Sequence, residues 1–140
     1  MTLTNLLIAI NVVAFVWLTT TGGLSNDRAL YDHGALFGPA ALQGQWWRIV
    51  TAAFLHGGIM HVGLNMLALY QVGNLVESIL GRARFAAIYA LSLIGSGLAV
   101  VIVTPNELTI GASGAIFGLF GALVAIGLRA GPRGRGLVGQ

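Results

Sequence analysis

Ser113 lies between glycines in Gly111-Ala112-Ser113-Gly114, inside a long apolar stretch. A hydroxyl there either bonds the backbone of its own helical turn or acts as a nucleophile. His61 and Asn65, in another apolar stretch, are four residues apart. On a helix they share one face and are separated by about 6 Å along the axis. Such a pair either hydrogen-bonds to neighbouring helices and fixes packing, or presents two donors to a substrate. His56 lies five residues before His61, and that spacing points it to a different face of the same helix. A serine oxygen facing an imidazole and a carboxamide is the layout of a nucleophile with oxyanion donors. His33 belongs to neither cluster and reads as a solvated surface residue.

The elements that must position these groups are membrane helices. The chain has 140 residues, of which 56% are apolar and 8% charged, with a mean hydropathy of +0.86. A soluble domain carries about 25% charged residues, and four acids with seven arginines fall far short of covering a surface in water. The absence of cysteine excludes a disulfide framework and thiol chemistry. No cluster of metal ligands or cofactor motif is present, so neither a metal nor an organic cofactor is expected. The net charge of +3 suggests no nucleic acid, because the arginines form no patch with interleaved aromatics. A transmembrane helix needs about 20 mostly apolar residues. Four stretches qualify: Leu3 to Thr20, Gly57 to Val76, Phe85 to Val103 and Ile110 to Leu128. The first lacks a basic leader and a small-residue cleavage site, so it reads as a span and not as a signal peptide.

Arginine placement sets the expected orientation. Arg82 and Arg84 separate spans two and three, and Arg129, Arg133 and Arg135 follow span four. The positive-inside rule puts these and the amino terminus in the cytoplasm, with segments 21–55 and 104–109 on the opposite face. Spans two and four then both descend from the outer face, and His61, Asn65 and Ser113 all fall in the outer half of the bilayer. Gly111, Gly114, Gly118 and Gly121 form a smooth stripe on span four, suited to close helix contact. Ser113 sits about 100° round the helix from that stripe, beside the contact. The soluble nucleophile elbow fits poorly, because G-x-S-x-G needs glycine where this chain has Ala115.

These residues, in this order, resemble the rhomboid intramembrane serine proteases. Trp47-Arg48 is similar to the family's pair in the first outer loop. His56, His61 and Asn65 resemble the polar residues of its second helix. Glu77, Gly81, Arg84-Phe85 and Tyr89 resemble the turn between helices two and three, and Gly111-Ala112-Ser113-Gly114 matches the family's G-x-S-G. The resemblance implies an all-α polytopic bundle, of which these are the first four helices of six. It implies that Ser113 is the nucleophile and that His61, Asn65 and the Ser113 backbone N–H stabilise the oxyanion. Trp47 and Arg48 would shape the outer loop, and Glu77 and Arg84 the cytoplasmic turn. The substrates implied are transmembrane segments of membrane proteins.

In the family the general base is a histidine on helix six, packed against the glycine face of helix four. The histidines here are 33, 56 and 61, and none follows Ser113. The sequence therefore reads as residues 1–130 of a truncated rhomboid-like membrane domain followed by a Gly/Arg/Pro-rich cytoplasmic loop, 131–140. The glycine stripe calls for a partner helix, which the missing segment would supply. The chain alone is expected to be inactive, with a carboxyl-terminal rhomboid segment in trans as partner and the inner membrane as location in a bacterium. The alternatives are a non-catalytic pseudoprotease that binds transmembrane clients and a small structural or channel-forming protein.

Overall fold

A computed structural model describes the backbone of residues 1–138 and the side chains of residues 1–132. Among the described residues it is all-helical, and four helices are long and apolar enough to cross a membrane. The first, α1 (Leu3–Thr20), starts where the Thr2 hydroxyl accepts the Asn5 N–H at 3.0 Å. This cap satisfies one of the orphan donors of the first turn. The segment 21–55 between the first two spans folds into three short helices, α2 (Asp27–Asp32), α3 (Gly38–Leu42) and α4 (Arg48–Ala52). The second span runs as α5 (Ile59–Ala68), a π-helical turn (Leu69–Gly73) and α6 (Asn74–Leu80). Gly73 in that turn lets Thr4 of α1 come close, since a Cβ there would lie 2.7 Å from the Thr4 methyl. A one-residue turn at Gly81 (φ +85°) leads into α7 (Arg82–Val103). The fourth span opens α8 (Ser113–Val138).

The observed boundaries correct those expected for three of the four spans. Span two begins at Ile59 and reaches Leu80, span three begins at Arg82, and span four begins at Ser113. Each shift follows from a local backbone break. Gly58 is extended, Gly81 is at φ +85° and Gly111 at φ +117°, so no helix runs through them. The expected loop from Gly131 is corrected as well. Gly131 (φ +59°) breaks α8, but the chain turns helically again over 132–138. Residues 139 and 140 lie outside the described residues.

Two tethers orient the bundle. The Glu77 carboxylate accepts the backbone N–H groups of Leu3 (2.8 Å) and Thr4 (2.9 Å) and the Thr4 hydroxyl (2.8 Å). It therefore caps α1 as well as bracing its own turn, where Arg82 at 3.7 Å, and not Arg84, is its ion-pair partner. At the opposite end of the bundle the buried Arg48 donates to the carbonyls of Tyr31 (2.6 Å) and Ala35 (2.9 Å) and to Gln45 (2.7 Å). Its guanidinium also stacks 3.7 Å over the Tyr31 ring. A guanidinium with this many partners cross-links the segment 21–55, which is the structural part expected of it. Paired N–H to O=C bonds of 3.0 Å between Leu36 and Thr109 tie that segment to the connection before α8.

The glycine stripe has a partner within the chain. A Cβ on Gly114 would overlap the side chain of Ser96, and one on Gly118 that of Ser92, both on α7. Gly111 packs on His61, and only Gly121 of the four faces open space. The stripe therefore does not call for a further helix along its whole length. Two small-residue rows meet across α7 and α8, as close helix packing in lipid favours.

Candidate active site

The segment Phe54–Gly58 is not helical, and this decides where the histidines go. His56 is outside α5 and folds back under it, fully buried, with its ring centroid 4.9 Å from that of His61. The expectation that the two point to different faces assumed one continuous helix and is corrected here. His61 is in the first turn of α5, and its Nδ1 accepts the Gly57 N–H at 3.0 Å. A neutral His61 therefore carries its proton on Nε2. That nitrogen points at Gly111, where a Cβ would come within 2.9 Å of it.

The approach to Ser113 is fixed residue by residue. The Gly111 N–H donates to the Ala52 carbonyl at 2.8 Å. The buried Ala112 N–H donates to His56 Nε2 in a long bond of 3.4 Å. Gly111 holds φ +117°, a region that strains any other residue. Ser113 then heads α8, whose first helical bond runs from Ile116 N–H to the Ala112 carbonyl (3.1 Å). The N–H groups of Ser113, Gly114 and Ala115 are thus left without an acceptor in their own helix, and they add the positive end of the helix dipole. Because Ser113 is the first helical residue, no preceding turn offers its hydroxyl a carbonyl. Ser78 and Ser96, by contrast, do bond back within their helices.

Ser113 is exposed and separates two cavities. One, of about 180 Å³ between α5 and α8, is lined by Ser113 and Asn65 with Leu64, Ala68, Ile116 and Phe117. The other, of about 110 Å³, is bounded by α4, α7 and α8 and includes Ser96, Thr109 and Gly111. Asn65 donates one Nδ2 hydrogen to the His61 carbonyl at 2.9 Å. The other hydrogen and the oxygen remain for whatever enters the shared cavity. Ser113 and Asn65 thus share a cavity towards the amino-terminal ends of α5 and α8, and His61 lies against Gly111, two residues before Ser113. Burial, reinforced by the neighbouring His61 ring and only partly offset by the Phe54 backbone, pushes His56 down to about 4. It is a neutral acceptor at pH 7.

Other polar residues fall elsewhere. His33 is half-buried at the surface and is held by specific contacts. Its Nδ1 contacts the Ala29 carbonyl at 2.6 Å, its Nε2 the Thr21 hydroxyl at 2.8 Å, and its ring packs on Trp17 at 4.9 Å. It joins α1 to α2, away from Ser113. Sequence reasoning missed the contact of His56 with Ala112, and also Ser92 and Ser96, whose four-residue spacing on span three was the available signal. It also missed Asn11, which is buried in α1 and donates to the Leu7 carbonyl at 2.8 Å. Among the described residues there is no cluster of side chains able to hold a metal ion.

Comparison with known proteins gives a consistent result. Residues 43–140 match the family model for the rhomboid domain. The chain is 41% identical over 127 residues, 91% of its length, to the rhomboid protease GluP of Bacillus subtilis, covering 25% of that protein. It is 37% identical over 100 residues to rhomboid-like protease 3 of Toxoplasma gondii, covering 71% of this chain and 38% of that protein. RHOMBOID-like protein 5 of Arabidopsis thaliana is 37% identical over 95 residues, with 66% of this chain and 30% of that protein covered. The chain thus spans a quarter to two fifths of the length of these relatives.

Proposed function

This chain belongs to the rhomboid family, and on that premise we propose that it carries the nucleophile and oxyanion site of an intramembrane serine endopeptidase. Four apolar spans and the family together make it a multi-pass membrane protein. Ser113 Oγ attacks the scissile carbonyl of a transmembrane substrate that reaches it through the cavity between α5 and α8. The oxyanion that forms receives hydrogen bonds from His61 Nε2–H, the free Asn65 Nδ2–H and the Ser113 backbone N–H. Donors held in place before charge develops contribute about 10²–10³ in turnover each. The arginine distribution supports an amino terminus in the cytoplasm and a reaction near the outer face.

The observation that carries this reading is the seating of Gly111, two residues before Ser113, against His61 Nε2, beside a cavity that Ser113 shares with Asn65. A serine hydroxyl needs an adjacent base, and none of the three histidines of this sequence is free to serve Ser113. Full turnover needs a base other than these three imidazoles, and a site without one is expected to keep at most a residual rate.

The test is to express the chain in membranes with and without a rhomboid carboxyl-terminal half, together with a single-span model substrate. Cleavage appears only with both parts and is abolished by Ser113→Ala. Cleavage that survives Ser113→Ala overturns the assignment of the nucleophile. If the substrate crosslinks equally to the chain and to its Ser113→Ala variant, and no cleavage occurs with both parts present, the non-catalytic client-binding reading replaces it.

A further inference from the structure

Two backbone N–H groups impose opposite tautomers on adjacent imidazoles. Gly57 N–H occupies Nδ1 of His61 at 3.0 Å, and Ala112 N–H occupies Nε2 of His56 at 3.4 Å. Neutral His61 therefore presents Nε2–H, and neutral His56 keeps its proton on Nδ1. His56 has no exposed surface, and its Nδ1 has no partner within hydrogen-bond geometry among the described residues. Only the Phe54 backbone approaches its Nδ1 side, outside good hydrogen-bond geometry, and its other nitrogen holds the peptide that leads into Ser113. The two rings sit 4.9 Å apart at 65°, so His61 leans on His56 from one side and on Gly111 from the other.

We propose that His56 is the positioning residue of this site, holding the Ala112 N–H through Nε2 and bracing the His61 ring so that His61 Nε2–H and Ser113 keep their register. It touches no reacting atom and acts through its two neighbours. The proposal rests on the reading of Ser113 as nucleophile for its consequence in activity, but its geometric content does not. A second consequence is sensitivity to acid. A proton on Nε2 would face the Ala112 N–H, donor against donor, and release the latch. The titratable group that faces His56 is His61, from α5. The connection before α8 presents the Ala112 amide, and the segment 21–55 presents the Phe54 backbone. Burial and the His61 ring hold His56 down to about 4, so release belongs to acidic conditions and not to neutral pH.

The test uses the 140-residue chain, ¹⁵N-labelled, in detergent micelles. Nitrogen shifts should assign Nδ1–H to His56 and Nε2–H to His61, and the Ala112 amide should exchange slowly. In His56→Leu, which fills the space without an acceptor, Ala112 exchange rises about tenfold and His61 becomes a mixture of tautomers. His56→Gln, whose amide oxygen can accept, restores slow exchange. When the chain is paired with a rhomboid carboxyl-terminal half, His56→Leu lowers kcat by about 10²-fold with KM unchanged. His56→Gln recovers most of kcat and shifts the acid limb of the pH profile relative to wild type. Unchanged Ala112 exchange and His61 tautomer in His56→Leu overturn the proposal, as does an acid limb identical in wild type and His56→Gln. Proteolysis that never appears while the spectra behave as stated overturns the functional reading alone.

Discussion

Gly111→Ala should damage the site more than any other single methyl group added to this chain. The added Cβ would lie 2.9 Å from His61 Nε2 and 3.0 Å from Cε1, against an unstrained carbon contact of about 3.5 Å or more. The imidazole must retreat by roughly half an ångström, or the peptide must rotate and strain the 2.8 Å bond from Gly111 N–H to Ala52. The backbone adds its own penalty, because φ +117° suits only glycine; a residue forced there costs about 1–3 kcal/mol. Displacing one oxyanion donor costs a further 10²–10³ in kcat, or about 3–4 kcal/mol in the transition state. The assay is cleavage of a single-span substrate by the chain complemented with a rhomboid carboxyl-terminal half, with kcat and KM read separately. Gly63→Ala is the control, since its Cβ would meet nothing within 4 Å on the same helix as His61. Expected is a fall in kcat of at least about 10²-fold for Gly111→Ala, with KM within threefold of the control as a working margin of about 0.6 kcal/mol. A Gly111→Ala protein that cleaves as well as Gly63→Ala, with its His61 nitrogen shifts unmoved, would refute the placement of His61 Nε2 at the nucleophile.

Two predictions concern stability. His56 has its pKa lowered from 6.5 to about 4, so between those values the unfolded chain binds a proton that the native chain does not. Stability is then full above pH 6.5 and declines as pH falls from there to about 4, by ~3 kcal/mol in all. Unfolding titrations in mixed micelles at pH 7 and about pH 4.5 should show this, and a flat profile matching that of His56→Gln would contradict it. Gly118→Ala places a methyl on the Cβ and hydroxyl of Ser92 and should cost about 1–3 kcal/mol through overpacking. Gly121→Ala meets nothing and should be neutral or stabilising by up to ~1 kcal/mol through helix propensity; equal losses for the two would mean that the stripe packs on something other than α7.

How much of this was legible in the sequence depends on whether the deciding interaction was local. Span one was read to the residue, because composition and the Thr2 cap both act within a turn. Helical spacing set His61 and Asn65 on one face of span two, whereas the cavity that Asn65 shares with Ser113 depends on how α5 and α8 pack. His56 was misplaced because helical spacing was applied to a residue before the helix, and Gly57-Gly58 was the available warning. The partner of the glycine stripe was misjudged because pairing between α7 and α8 is tertiary. The Ser92 and Ser96 row that receives it looks ordinary until set against Gly118 and Gly114. The reach of Glu77 to α1 spans more than 70 positions, and no local pattern announces it.

The remaining question is why His61, so near Ser113, should not be the base itself. To accept a proton at Nε2 it must first move its own to Nδ1, where the Gly57 N–H already points at 3.0 Å. That change turns a hydrogen bond into a clash of two donors in a partly buried site, costing about 1–3 kcal/mol. It would also remove an oxyanion donor at the moment the oxyanion forms. His56 has its basic nitrogen on Ala112, and at pH 7 a group pushed down to about 4 is a weak proton acceptor. His33 is held by Ala29 and Thr21 at the carboxyl-terminal end of α1. Each imidazole of the chain thus has a task incompatible with deprotonating Ser113. Ser113 is exposed, which leaves it open to a base from another element. On the proposed reading these four spans hold the nucleophile and the oxyanion donors, and none of the chain's three imidazoles takes the proton. In a serine hydrolase oxyanion stabilisation and proton transfer are separable: a site without its base still retains some ~10³–10⁴ of rate enhancement over water. A trace of serine-dependent hydrolysis of an activated ester, lost in Ser113→Ala and in Gly111→Ala alike, is the signature this division of labour predicts for the chain by itself.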